Sequence, residues 1–273
     1  MKEMTIKEIQ EVSLEILKDI HKFCEQNNIY YTLCGGSLIG AIRHHGFIPW
    51  DDDIDIAMPR PDYEKFIHTY QSSNGYKLFS REIEGGDSVY IAYTRVCEME
   101  RTFVDSSKFP WSEHKTGVWI DVMPLDGAYD DITKETKRWK KANAIWHKGL
   151  RSRYALMKFS DATGVSKFLK VLFCKLFFKR KYYYLDRLIQ ISKECAYEQT
   201  TYYSDLAIMH YGMREYNPQS YLMNRILVQF EDHQFYIISG YDAWLRNIYG
   251  NYMQLPPLSE RKKSHDTIKP YWK

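Results

Sequence analysis

Leu33-Cys-Gly-Gly-Ser-Leu-Ile-Gly-Ala-Ile-Arg-His-His-Gly-Phe-Ile-Pro-Trp-Asp-Asp-Asp-Ile-Asp-Ile-Ala-Met58 joins a glycine-rich turn to a cluster of carboxylates. Ile29 to Leu33 is β-branched and aromatic enough for a short strand. Gly35-Gly36 breaks that strand, and Ser37 is placed to cap a helix running to about His44. A helix start after two glycines suits an anion, because its N–H groups and dipole favour a phosphate that no Cβ obstructs. Pro49-Trp50 ends the helical run, and Asp53 to Met58 alternates as a strand does. Asp51, Asp53 and Asp55 would then share a face, with Ile54 and Ile56 toward the core. Three carboxylates on one face repel one another, and a divalent cation both relieves that repulsion and partners a transferring phosphoryl group.

Other metal and phosphate motifs fail on particular residues. An EF-hand would need glycine at Ile56 and glutamate at Asp62. A Walker loop would need Gly-Lys-Ser/Thr where Gly40-Ala-Ile42 stands, and a dinucleotide fingerprint would need glycine at Ser37. Gly-Ser, helix, then Asp-x-Asp on a strand resembles the nucleotidyltransferase superfamily.

Around this stretch the chain reads as α+β. Thr5 to Asn27 carries apolar residues at helical spacing behind a Thr5/Glu8 capping box. A second helix follows Pro59-Arg-Pro-Asp62, and strand-like runs at 76–79, 89–96, 101–104 and 117–123 complete a mixed sheet. In the last run Asp121 stands among apolar residues, where an unpaired carboxylate is costly; a shared metal or an arginine such as Arg95 would satisfy it. Asp126, after Pro124, reads as a turn residue. Further on, Tyr182 to Tyr197 reads as helix, Ile226 to Ile238 as a hairpin, and Tyr241 to Tyr249 as a short helix ended by Gly250. Three segments are expected: a catalytic core over 1–130, a basic helical segment over 131–200, and a C-terminal hairpin, helix and tail over 201–273 packed on the core.

At 273 residues, with 44% hydrophobic and 27% charged residues, the composition is that of a globular protein. Five widely spaced cysteines exclude a disulfide framework or zinc knuckle and fit a reducing cytoplasm. The charged N-terminus lacks a signal-peptide apolar run, and no stretch approaches a membrane span. Charge is segregated: Lys134 to Lys181 carries a net +13 in a chain of net +3. That asymmetry calls for an anionic partner. Phe168 to Lys181 is basic and apolar, too short to span but suited to a bilayer interface, if it does not pack on the core.

The 35–58 stretch, Trp119-Ile-Asp-Val-Met-Pro-Leu-Asp126 and Tyr249-Gly-Asn-Tyr-Met-Gln-Leu-Pro-Pro257 together resemble the LicD family. Its characterised members are phosphocholine transferases of bacterial surface glycans, and the fukutin-type phosphoribitol transferases are similar at the same motif. The resemblance implies a nucleotidyltransferase-like fold, a mixed sheet with flanking helices plus the basic annex. It also implies attack on the distal phosphorus of a CDP-alcohol such as CDP-choline, with release of CMP. Asp53, Asp55 and Asp121 would be the catalytic residues, holding one or two Mg²⁺ ions. Gly36 and Ser37 would cradle a phosphate, with Arg43, His44, Arg261 and His265 as further donor-binding residues. Asp121 would also take the acceptor hydroxyl's proton, with His44 or His45 as the alternative. Expected partners are the CDP-alcohol, a lipid-linked or oligosaccharide acceptor and the inner membrane surface; nucleic acid is not expected. A true nucleotidyltransferase releasing pyrophosphate is the competing expectation.

Overall fold

The structure is a computed structural model that describes residues 1–84, 90–105, 116–178, 182–261 and 269–273. The chain begins with strand β1 (Lys2–Glu3) and helix α1 (Ile6–Asn27). Thr5 and Glu8 close the expected capping box, and Asn28 ends α1 in a left-handed conformation. Strand β2 (Thr32–Leu33), helix α2 (Gly35–His44), strand β3 (Asp55–Pro59) and helix α3 (Arg60–Thr69) follow. Strands β4 (Lys77–Phe79), β5 (Thr94–Cys97), β6 (Thr102–Val104) and β7 (Trp119–Ala128) come next.

The main sheet runs β2-β3-β7-β5-β4. Strands β3 and β7 are parallel and the other pairs in this row antiparallel, so the sheet is mixed, as expected. All ten residues of β7 are buried, as befits a central strand covered on both faces. Its far end pairs with β8 (Tyr202–Ser204), which in turn pairs with β9 (Asn217–Pro218). Asp126 is therefore a buried strand residue, not a turn residue; Pro124 is tolerated in β7 and does not end it.

Strand β6 departs from the expectation that it would extend this sheet. It pairs instead with β12 (Pro270–Trp272), which pairs with β1, so both ends of the chain close a separate three-stranded sheet. Hairpin β10 (Arg225–Phe230) and β11 (His233–Ile238) forms as expected, turning at Glu231 and Asp232. It docks beside β2 through a hydrogen bond from the Ile238 N–H to the Thr32 hydroxyl. Helix α7 (Tyr241–Tyr249) ends at Gly250, whose positive φ allows the stop.

The basic segment folds as α4 (Ile132–Ser152), α5 (Val165–Phe177) and α6 (Tyr183–Ser192). Leu185, Leu188 and Ile191 join Ala142, Leu206 and Ala207 in an apolar cluster of its own, apart from the main core built on α1, β3 and β7. Residues of β10, β11 and α7 belong to the main core. An ion-pair network links annex and core. Arg60 makes two hydrogen bonds to Asp126 at 2.6 and 3.0 Å and a third to Glu82 at 2.9 Å, and Lys193 beyond α6 reaches Glu82 at 2.8 Å and also Glu64.

Candidate active site

The expected carboxylates converge, though on a different local scaffold. Strand β3 begins at Asp55, so Asp51, Asp52 and Asp53 belong to the segment leading into it. Residues 56–59 of β3 are all buried, which places the strand in the centre of the sheet with no solvent face. Asp55 lies opposite Asp121 in the parallel β3–β7 register, and the Asp121 N–H donates to the Ile54 carbonyl at 3.2 Å. Asp51, Asp53, Asp55 and Asp121 line one cleft of about 460 Å³ together with Gly35 and Gly36. Among the described residues, the three carboxylates whose ligand atoms all lie within 4.8 Å of one another are Asp51, Asp52 and Asp53.

The glycines serve these carboxylates directly. A Cβ on Gly36 would stand 2.6 Å from Asp51 Oδ2, and one on Gly35, where φ is +54°, would stand 3.3 Å from Asp55 Oδ2. The start of α2, read as a phosphate cradle, thus faces two carboxylates, and its dipole favours their charge. Ser37 is not the cap: Cys34 holds that position, and Ser37 is buried in the first turn, its Oγ accepting a 2.9 Å hydrogen bond from the Asp55 N–H. The hydroxyl fixes where β3 begins.

Asp121 has the arginine partner that the sequence left open. Arg95 Nε and Nη2 donate to its two oxygens at 2.6 and 3.3 Å, and Trp119 Nε1 donates at 3.3 Å. The guanidinium also lies 4.2 Å from the Trp119 ring centroid. Asp121 is thereby fixed in orientation by a two-point contact with a cation. Asp55 is the opposite case. Burial, then the charges of Asp53, Asp121 and Asp51, push its carboxyl well above the usual range, and Arg95 offsets only part.

The other expected residues gather elsewhere. Arg43 is at the far end of α2, about 10 Å along the axis from Gly36. It donates to the Tyr252 carbonyl at 2.6 Å and to His44 at 2.9 Å. Arg261 lies over the Trp50 ring at 5.2 Å and donates to the Pro256 carbonyl, while His44 packs edge-on to Trp50. Burial first, then Arg261, lowers the Arg43 pKa, so these two cations are close. None of Arg43, His44 and Arg261 lines the carboxylate cleft; together they form a basic cluster beside Trp50. His45 ends α2 with a positive φ, its carbonyl accepting from the Glu231 N–H. His265 lies outside the described residues.

Two cleft residues escaped the sequence reading. Asp205 and Glu215 are both buried, and no spacing motif marks either. Asp205 accepts from the Ala207 and Ile208 N–H groups at 2.9 and 3.3 Å, and Glu215 accepts from Trp244 Nε1 at 3.2 Å. Burial pushes Asp205 up to about 7; burial and then Asp205 push Glu215 up to about 8. Both folded-state values exceed those of an unfolded carboxylate. The stability these groups contribute is complete below about pH 4 and is lost as pH rises through 7 to 8. Thermal unfolding of the metal-free protein should therefore show a fall in midpoint from pH 5 to 8.5, with a shallower fall in Glu215→Gln.

The chain is 32% identical over 270 residues, 97% of each chain, to the lipopolysaccharide cholinephosphotransferase LicD of Haemophilus influenzae. The chain belongs to the LicD family. Residues 28–161 match the family described as LicD/FKTN/FKRP, nucleotidyltransferase domain. That LicD match covers the carboxylate segment, β3, β7 and α4. Uncharacterised proteins of Rickettsia typhi and Rickettsia prowazekii are 30% and 26% identical over 144 and 151 residues, 52% and 48% of this chain and 44% and 56% of theirs.

Proposed function

We propose that this protein transfers phosphocholine from CDP-choline to a sugar of a bacterial surface glycan, lipopolysaccharide or teichoic acid, and releases CMP. The observation that carries the reading is the 32% identity, over 97% of the chain, to a lipopolysaccharide cholinephosphotransferase, in a chain whose family-matched segment supplies Asp51, Asp53, Asp55 and Asp121 to the acidic cleft.

The donor set suits Mg²⁺. All the cleft candidates are hard carboxylate oxygens, and the crowding that raises Asp55 is what a divalent cation relieves. Asp53, Asp55 and Asp121 would hold it, with Asp51 and Asp52 adjacent. When bound, it neutralises charge on the diphosphate and on the departing CMP oxygen. In a loose phosphoryl-transfer transition state positioning matters more than strong basicity. Asp121, tied to Arg95, fits a positioning role better than that of proton acceptor. Arg43 and Arg261 suit an anionic part of a substrate reaching beyond Trp50.

A CMP assay on a panel of CDP-alcohols with lipid-linked glycan acceptors tests this reading. CMP release with CDP-choline is expected; pyrophosphate release from a nucleoside triphosphate would instead mark a nucleotidyltransferase, and no turnover of folded protein would count against both.

A cytoplasmic enzyme with a lipid-linked acceptor needs access to the inner membrane face. No described helix is long and apolar enough to cross a membrane. Helix α5 supports a peripheral contact. It buries Val171 and Cys174 while Phe168, Leu169, Leu172, Phe173, Leu176 and Phe177 are exposed, Phe177 to 67%. Lys170 lies 3.8 Å from the Tyr154 ring centroid and Lys175 donates to the Ala155 carbonyl, so these lysines flank the apolar stripe. Each cation near an anionic leaflet contributes about 1 kcal/mol. Lys179, Arg180 and Lys181 lie outside the described residues. Replacing Leu169 and Phe173 by serine should abolish sedimentation with anionic liposomes at low salt while sparing turnover of a soluble acceptor. Wild-type protein that ignores such liposomes would remove the membrane contact.

A further inference from the structure

The cleft extends past the aspartates to a second end with different chemistry. There Tyr211, Trp244 and Tyr249 join Asp205 and Glu215 in the lining. The Tyr211 and Tyr249 rings meet edge to face with centroids 5.1 Å apart. Among the described residues neither carboxylate has an ion-pair partner: Asp205 is held by two backbone N–H groups, and Glu215 by the Trp244 indole. Arg60 and Arg214 act on these two carboxylates only at longer range, so the pair, walled by aromatic rings, suits a further positive charge.

The type of charge that fits can be argued. A Lys or Arg head group, or a metal, would need converging oxygen acceptors. Asp205 and Glu215 share this end of the lining with Ile208, Tyr211, Trp244, Ile248 and Tyr249, rings and apolar side chains that offer few oxygen acceptors. A quaternary ammonium has no N–H to satisfy; it is held by the faces of Tyr and Trp and by diffuse negative potential. We propose that Tyr211, Trp244 and Tyr249, with Glu215 and Asp205 behind them, form the subsite that recognises the trimethylammonium head of the donor. This assignment rests on the phosphocholine reading above and names the residues that would set its head-group specificity.

Position supports it. Gly35 stands between the two halves of the cleft: a Cβ there would be 3.3 Å from Asp55 Oδ2 and 3.8 Å from the Tyr249 hydroxyl. The aromatic end thus begins directly beside the carboxylates proposed to handle the phosphoryl group. In phosphocholine two carbons and an oxygen separate phosphorus from nitrogen, a reach that spans this junction. A neutral alcohol offers these carboxylates a hydrogen bond but no charge.

Binding to the full-length protein by titration calorimetry, with CDP-choline and CMP in the presence of Mg²⁺, tests the assignment. Glu215→Gln, which keeps an acceptor for Trp244, and Tyr211→Leu are each expected to weaken CDP-choline at least tenfold and to leave CMP within twofold. Equal weakening of both ligands, or of neither, would overturn the subsite, because a merely structural role would not separate the head group from the nucleotide. If wild-type protein binds neither nucleotide and releases no CMP, the phosphocholine reading itself fails. Broadening of the tetramethylammonium methyl resonance then decides alone: broadening by wild type that Glu215→Gln removes retains a quaternary-ammonium site, and its absence ends the proposal.

Discussion

Asp55→Asn should lower transfer by at least about a thousandfold while raising the thermal stability of the metal-free protein. The loss follows from the cleft: Asp55 sits where β3 and β7 meet, against the start of α2, and its charge is the one the proposed divalent cation would draw out of a buried, crowded setting. Electrostatic groups placed at developing charge are worth factors of roughly 10²–10³ in rate, and a metal ligand more. The gain in stability follows from the same crowding, since an amide removes repulsion with Asp51, Asp53 and Asp121 and a desolvation cost. Asp53→Asn is expected to match it in activity. Asp121→Asn separates from both, losing activity and also stability, because Arg95 would keep a buried guanidinium without its carboxylate. Turnover near wild type in Asp55→Asn, with metal affinity unchanged by calorimetry, would remove this residue from the metal site.

The second large effect is structural. Arg60→Met should cost about 3–5 kcal/mol, because it strands the buried Asp126 carboxylate without its cation, while Glu82 keeps Lys193. For a chain of this size that corresponds to a fall in Tm of roughly 10 °C. The Asp126→Leu change made in the Arg60→Met background should recover part of the loss, since an apolar pair no longer strands that charge. Denaturant unfolding of the single and double variants measures the coupling, and a cost below about 1 kcal/mol for Arg60→Met would show that solvent reaches the network.

How far the sequence reveals this molecule depends on the range of the interaction. The capping box at Thr5 and Glu8, the hairpin turning at Glu231 and the stop at Gly250 are local, and each is found where its residues indicate. Strand β6 was legible as a strand, but its partner is the last strand of the chain, and nothing in Thr102 to Val104 specifies that. Asp53, Asp55 and Asp121 were legible as site candidates because short spacing in one case and an apolar setting in the other made each carboxylate conspicuous. Asp205 reaches the same cleft from just after β8, and Glu215 from the end of a short 3-10 turn before β9, places where an acidic residue is unremarkable. Arg43 and Arg261 were legible as cations but not in their contacts, which are carbonyls and a ring brought in by the tail.

The pairing of Asp55 with Asp121 across parallel strands also limits how such a chain can change over evolutionary time. Side chains alternate along β7, so inserting one residue before Asp121 would turn Val122 toward the cleft and send the carboxylate into the opposite layer, away from Arg95 on β5. Substitutions around the site can be explored one at a time, but a change in length within β7 cannot. Insertions and deletions should therefore accumulate in the loops after Ala128 and between the annex helices, leaving the spacing from Trp119 to Asp126 constant while the outer surface diverges.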